Sequence, residues 1–339
     1  MVTNVLGSWN SEVFMEIKNI QKVTDEIING ARIRRGDDLS FLLKAELAEL
    51  QVGARRLQDY FCGNHIDFCT IINGRSGRCG ENCKYCAQAA CHQTGVEEYE
   101  FLPKEDIIRN ARANQEAGVN RFAIVTSGRA LTGVDFDKAI VAYTEMRDTL
   151  SIELCASHGI LTREQLRRLH NAGVTSYHHN IETSRRFFPE ICTSHTYEDR
   201  IRTIRIAQEE GFCVCSGGII GMGETWEDRL DMALSLQEMG IESIPINALM
   251  PIPGTEMEGR PQLPAEDILR TIAIFRFVNP TANIRLAAGR KMLPQNGATA
   301  LRAGASASIT GNMLTTSGTT IREDMQMLRD LGLSNTRRK

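Results

Sequence analysis

Four cysteines fall within thirteen positions in RCGENCKYCAQAACH, residues 78–92. Cys79, Cys83 and Cys86 carry the spacing C-x3-C-x2-C, and Cys91 follows five residues later. Thiols this crowded can form disulfides, act as nucleophiles, hold zinc or hold an iron–sulfur cluster. A structural zinc takes four ligands, usually from two C-x2-C-type pairs, and Cys91 or His92 could complete such a set. Three thiolates on a loop instead hold three corners of a four-iron cluster, leaving one iron open to a substrate or cofactor. Six more cysteines, at 62, 69, 155, 192, 213 and 215, are scattered singly. Scattered cysteines are read first as small buried apolar residues.

The bulk composition bears on that choice. The chain has 339 residues, 42% of them apolar, which is ample for a core. Its 39 basic and 42 acidic residues give a net charge of −3, so no nucleic-acid partner is expected. No apolar run reaches the roughly 18 residues of a membrane helix, and no membrane association is expected. The opening MVTNVLGSWNSEVFMEIKN lacks the basic and apolar regions of a signal peptide. A cytoplasmic protein is the expectation, and there thiols stay reduced, so clustered cysteines point to metal binding or catalysis.

Something must position these thiols. The first 60 residues read as helical, over Ser11 to Asn29 and again in DLSFLLKAELAEL. Beyond them, eight short apolar runs follow, at 67–73, 121–127, 152–158, 174–182, 212–220, 243–250, 283–290 and 306–314. Amphipathic stretches separate most of them, the last a short one near 295–304. Thr162, Thr196 and Thr225 open three of these helices as capping boxes, and Gly118, Gly173, Gly211 and Gly240 close four. Strand and helix alternating eight times predict a (β/α)8 TIM barrel of class α/β with a helical N-terminal extension. An open doubly wound sheet is the rival, but no G-x-G-x-x-G follows the first strand. The division expected is an extension over 1–60 and a barrel over 61–339. Barrel active sites sit at the C-terminal mouth, and RCGENCKYC directly follows strand one.

This motif resembles that of radical S-adenosylmethionine (radical SAM) enzymes, and GRCGENCKYCAQAA resembles the biotin synthase family in particular. The likeness extends over roughly residues 60–335, through YHHNIETS, TYEDRI, VCSGGIIGMGET, SIPINALMPIPGT and ITGNMLTTSG. The resemblance implies a 4Fe-4S cluster on Cys79, Cys83 and Cys86 whose open iron binds S-adenosyl-L-methionine. One electron then cleaves SAM to methionine and a 5′-deoxyadenosyl radical. Tyr85 would lie against the adenosyl group. The glycine-rich run would let backbone approach the adenine, with Gly217, Gly218, Ile219, Gly221 and Glu224 as its contacts; a tight strand-to-helix turn is the other reading of the same run. Arg200 would meet the methionine carboxylate. Asn180 and Glu182 would contact the SAM ribose and the substrate. Asn247 would hold the cyclic urea of dethiobiotin, and Thr315 and Thr316 its carboxylate. HHNIE stands where the better-known pattern is NHNLD, so His178 replaces an asparagine and Glu182 an aspartate. His178 is left as a polar mouth contact or a buried, satisfied residue.

The resemblance also implies an auxiliary iron–sulfur cluster deep in the barrel as the sulfur source. Its familiar two-iron form uses cysteines on strands two, three and five and an arginine on strand seven. Cys155, Cys215 and Arg285 match, but strand two carries Ala123 instead. Strands one, three, five and seven place Cys69, Cys155, Cys215 and Arg285 in one interior layer if their heights match, with Cys192 as another candidate ligand. The auxiliary cluster is therefore expected as a 2Fe-2S or larger form that differs from the familiar one. Cys213 alternates with Cys215 and should face away from the interior; Cys62 and Cys91 are unassigned. The activity implied is sulfur insertion converting dethiobiotin to biotin, with a donor such as flavodoxin or ferredoxin and a homodimeric state. The alternatives are a radical SAM maturase of hydrogenase-cofactor or methylornithine type, or a zinc-stabilised scaffold without enzymatic activity.

Overall fold

The computed structural model describes residues 19–311 and 318–336. Three helices come first: α1 (Ile20–Ile28), α2 (Ser40–Lys44) and α3 (Leu47–Phe61). Asn19 caps α1 by accepting from the Gln21 amide at 2.7 Å; the part of the expected first helix before residue 19 lies outside the described residues. The second predicted stretch is two helices, broken at Ala45 and Glu46.

Eight parallel staves follow. They are β1 (Asp67–Arg75), β2 (Arg121–Thr126), β3 (Glu153–Ser157), β4 (Ser176–His178), a fifth in two pieces, β5 (Cys213–Cys215) and β6 (Gly218–Ile220), then β7 (Ser243–Ala248), β8 (Asn283–Leu286) and β9 (Ala307–Ile309). Each pairs in parallel with its neighbours, and β1 pairs with both β2 and β9. The bridge between Cys215 and Ser243 and the ladder of β6 on β7 close the ring. The predicted (β/α)8 barrel is the observed fold.

The outer helices are α4 (Lys104–Glu116), α5 (Gly133–Thr149), α6 (Arg163–Asn171), the short α7 (Phe188–Ile191), α8 (Tyr197–Glu209), α9 (Trp226–Glu238), α10 (Ala265–Val278), α11 (Ala298–Leu301) and α12 (Ile321–Leu331). Thr162, Thr196 and Thr225 form full capping boxes on α6, α8 and α9. The C-terminal α12 was not predicted, although Thr320 caps it in the same way. On α10, Arg276 is fully buried and donates to the carbonyls of Gly304, Pro280 and Ala282 at 2.7–2.8 Å. It thereby ties α10 to the segments flanking β8 and β9.

The fifth stave breaks at Ser216 and Gly217, for a steric reason. A Cβ on Gly217 would stand 2.0 Å from the Pro245 carbonyl oxygen, and one on Gly218 2.3 Å from that of Glu182. Only glycine allows the backbones to approach this closely. Facing them, Glu182 has a left-handed backbone at φ +69°. Its amide donates to Gly217 O at 3.1 Å and its carbonyl accepts from Ile219 at 2.8 Å, which holds this unfavourable conformation.

Candidate active site

At the C-terminal mouth the loop after β1 folds back on itself. The Cys79 amide donates to Gln88 O at 3.0 Å, Ala90 donates to Cys79 O at 2.8 Å, and Cys86 donates to Cys83 O at 3.0 Å. Gln88 also accepts from the Gly77 amide through its side chain, at 3.1 Å. These bonds turn Cys79, Cys83 and Cys86 into one cavity of about 410 Å³. Cys79 and Cys83 are buried, Cys86 is half-buried, and all three are free thiols. Burial pushes Cys86 up to about 11, a cost that thiolate bonds to iron would offset. Cys91 is exposed, and the His92 ring is engaged with the Cys86 carbonyl at 2.8 Å.

The same cavity runs down into the barrel to a second set of thiols. Cys69, Cys155, Cys215 and Arg285 all line it. The register sets Cys155 opposite Ala123 and Cys69 one pleat lower, opposite Arg121. Cys69, Ala123 and Cys155 nevertheless pack as one buried group. Burial raises Cys69 to about 11, against the opposing pull of Arg285 and Arg121. Burial likewise holds Cys155 well above an ordinary thiol, reinforced by Cys69 and Cys215. Burial would also raise Cys215, but a His178 hydrogen bond and the charges of His178 and Arg285 outweigh it and bring the thiol to about 7. Beneath them the buried Asp67 pairs with Arg285 and, at 3.4 Å, with Arg121. Two arginines therefore face three thiols, a donor set suited to an anionic, thiolate-bound cluster.

Tyr85, Asn180, Glu182, Arg200, Ile219 and Asn247 line the same cavity. Arg200 donates to Asn180 O at 3.0 Å and pairs with Glu182 at 3.3 Å. Burial opposes its charge, yet Glu182 holds its pKa above the ordinary value. Asn180 accepts from the Gly217 amide at 3.0 Å, and Asn247 donates to Gly218 O at 3.1 Å. His178 lines the cavity beside Cys215; burial opposes its protonation, but Cys215 raises its pKa on balance.

Three groups of expected site residues sit elsewhere than along the cavity. Cys192 does not join the barrel thiols: it follows α7, and its sulfur lies 3.7 Å from that of Cys83. Glu224 does not line the cavity. Its carboxylate is turned inward, accepting from the amides of Gly221, Met222 and Gly223 and pairing with Arg229 at 2.8 Å. Among Gly217, Gly218, Ile219 and Gly221, only Ile219 lines the cavity, because the glycines serve the closure of the barrel. Thr315 and Thr316 lie outside the described residues. Cys213 points away as expected, toward Glu242 at 3.5 Å.

Sequence reasoning missed Arg121, His195 and Glu81, which also line the cavity. Arg121 opens an otherwise apolar strand, which was the available signal. His195 and Glu81 sit in polar loops and carried none.

A parallel barrel with three loop thiols at its C-terminal mouth and an arginine–glutamate pair beside them defines the class of radical SAM enzymes. Residues 75–236 match the Radical SAM superfamily domain. Residues 245–334 match the Biotin and Thiamin Synthesis associated domain. Biotin synthase of Clostridium beijerinckii is 54% identical over 315 residues, covering 93% of this chain and 100% of that one. Biotin synthase of Alkaliphilus metalliredigens is 54% identical over 314 residues, covering 93% and 99%. The chain belongs to the biotin synthase family and is a radical SAM sulfur-inserting enzyme. Among solved structures, methylornithine synthase superposes with a TM-score of 0.80 at 18% identity, covering 93% of this chain and 97% of that one. A maturase of the FeFe-hydrogenase gives 0.79 at 20% identity, covering 94% and 76%. At those identities both show the shared barrel alone. No described helix is long and apolar enough to cross a membrane.

Proposed function

We propose that the chain converts dethiobiotin to biotin, starting the reaction at the loop thiols and drawing sulfur from an auxiliary iron–sulfur cluster held by the barrel thiols. The observation that carries this is one cavity lined at its mouth by Cys79, Cys83 and Cys86 and at depth by Cys69, Cys155 and Cys215. Cys79, Cys83 and Cys86 would hold a four-iron cluster which, with SAM, would supply the radical chemistry for hydrogen abstraction from the substrate. The remaining work falls to the chain's own side chains. Arg200 presents a fixed guanidinium to the methionine carboxylate. Glu182 and Asn180 take the ribose hydroxyls, and Tyr85 and Ile219 give the adenosyl group apolar walls. Asn247 and Asn180 orient the cyclic urea, so that the reacting carbons lie between the two sets of thiols. The apolar walls and the depth of the cavity keep water from the radical. Thr315 and Thr316 complete the reading as receivers of the substrate carboxylate.

Cys69, Cys155, Cys215 and Arg285 are proposed as the auxiliary site. With Ala123 on strand two and Cys69 on strand one, the ligand set differs from the familiar two-iron form. Within the 1–60 extension the described helices α1 to α3 precede the catalytic barrel of 61–339. A flavodoxin- or ferredoxin-like electron donor, a homodimeric state and a cytoplasmic location complete the reading; ten free cysteines suit a reducing compartment.

Anaerobic turnover with SAM, reductant and dethiobiotin, following 5′-deoxyadenosine and biotin together, tests the proposal. Coupled appearance of both is the expected result; 5′-deoxyadenosine without biotin would redirect the reading to another radical SAM reaction. Iron and sulfide counts on Cys69→Ala and Cys155→Ala variants test the auxiliary site, and counts unchanged in both would remove it from these residues.

A further inference from the structure

Cys192 has no part in the proposed reaction, yet it sits in the most tightly built cluster of donor atoms at the mouth. Its sulfur is 3.7 Å from that of Cys83 and 3.4 and 3.8 Å from Nδ1 and Nε2 of His195. One donor atom from each of Cys83, Cys192 and His195 lies within 4.8 Å of the others, and all three residues are buried. Two thiolates on one tetrahedral zinc, each bonded at about 2.3 Å, stand about 3.8 Å apart. A thiolate and an imidazole nitrogen on the same ion stand about 3.6 Å apart. The Cys83–Cys192 and Cys192–Nε2 spacings match one shared ion rather than two corners of an iron–sulfur cube. The geometry points to a mononuclear site on Cys83, Cys192 and His195 for a single thiophilic divalent cation, zinc or ferrous iron, in the chain that lacks the loop cluster.

The surrounding residues fit a ligand role. Glu81 accepts from Nδ1 of His195, which fixes the proton there and frees Nε2 as the metal-binding nitrogen, the usual carboxylate–histidine–metal arrangement. Nε2 is meanwhile capped by the Arg200 Nε at 3.0 Å. Binding an ion asks Arg200 to release that one bond, while its Nη1 keeps the Asn180 carbonyl at 3.0 Å. The two thiols lose their protons on binding, and two thiolates balance the charge of the cation beside Arg200. Asn82 pre-shapes the site: its side-chain oxygen accepts from the amides of Thr193 and Ser194 at 3.0 Å each. The ion would clip the cysteine loop to the segment after β4.

The ion-binding claim stands on geometry alone. A corollary rests on the cluster reading above: because Cys83 is shared, the ion and the loop cluster exclude one another.

The test uses full-length protein stripped of iron anaerobically and titrated with Co2+, whose thiolate charge-transfer bands report sulfur ligation. Expected is a tetrahedral thiolate-ligated cobalt site that weakens at least tenfold in both Cys192→Ser and His195→Gln. Cys79→Ala and Cys86→Ala leave that site intact. Equal cobalt binding in wild type and Cys192→Ser would overturn the proposal, and so would loss of the site in Cys79→Ala with circular dichroism unchanged. The corollary is read separately, from the rate of cluster reconstitution with iron and sulfide. Bound Zn2+ should slow wild type and leave Cys192→Ser unaffected. Cobalt binding that depends on Cys192, with reconstitution indifferent to Zn2+, would leave the ion site standing and count against Cys83 as a cluster ligand.

Discussion

The two thiol sets use the same residue type in opposite settings. Cys79, Cys83 and Cys86 share one loop whose local hydrogen bonds turn them together, at the mouth of the barrel. Cys69, Cys155 and Cys215 come from three strands separated by up to 146 residues and meet only because the barrel closes. Charge separates them further. The loop set lies near Arg200, itself paired with Glu182. The deep set faces Arg121 and Arg285, both anchored on the buried Asp67. A loop can leave a corner open for a cofactor; a packed interior holds its donor atoms fixed. The two sets therefore suit different tasks in one reaction.

The sharpest way to break this comparison is to remove one thiol from each set. Cys83→Ala should abolish 5′-deoxyadenosine formation, on the order of a thousandfold or more, as for an essential member of a catalytic unit. Cys155→Ala should keep SAM cleavage while biotin formation is lost, and chromatography of both products distinguishes the two outcomes. If Cys155→Ala also loses SAM cleavage, the division of labour fails.

Arg200→Met should raise the KM for SAM by about 10- to 100-fold, from loss of a charge-assisted bond worth about 1.5–3 kcal/mol. Steady-state kinetics with 5′-deoxyadenosine as the readout measures this. In the cluster-free protein, Cys215 should alkylate with a midpoint near pH 7, because its thiol is held at about 7 while an ordinary thiol is at 9.0. The sign is that of a depressed acid: the reactive thiolate grows as pH rises through 7. Cys155, held well above the ordinary value, should stay inert over that range. Peptide mass mapping after iodoacetamide treatment separates the two.

Glu224→Ala should affect chemistry least. Breaking its buried pair with Arg229 should cost about 3 kcal/mol of stability, seen as a lower thermal midpoint, with the KM for SAM nearly unchanged. A large rise in KM instead would return Glu224 to the cofactor site.

The caps and periodicities of this chain are local properties, so the barrel could be read from them. Thr162, Thr196 and Thr225 satisfy amides within their own first turns, and Gly118, Gly173, Gly211 and Gly240 all take positive φ. The grouping of the loop thiols was legible for the same reason, since C-x3-C-x2-C keeps three thiols within one short loop. The placement of Glu224 was not legible, because a carboxylate that ties down its own glycine loop has the same sequence pattern as one facing a cofactor. Cys192 misled because nothing in EICTSHT shows which way the loop folds.

What the sequence determined by itself was short-range: the strand and helix alternation, the caps, and the spacing of the loop thiols. Such features depend on neighbours a few residues away, and the chain cannot avoid bringing those together. What only the tertiary structure decided was register and closure. These put Cys69 one pleat below Cys155 and set Arg121 and Arg285 against the same thiols. They also seated Cys192 against Cys83 rather than in the barrel. A shift of one residue in a strand turns every side chain to the other face. Such facing is set by packing across the whole ring, and no local stretch of sequence carries it.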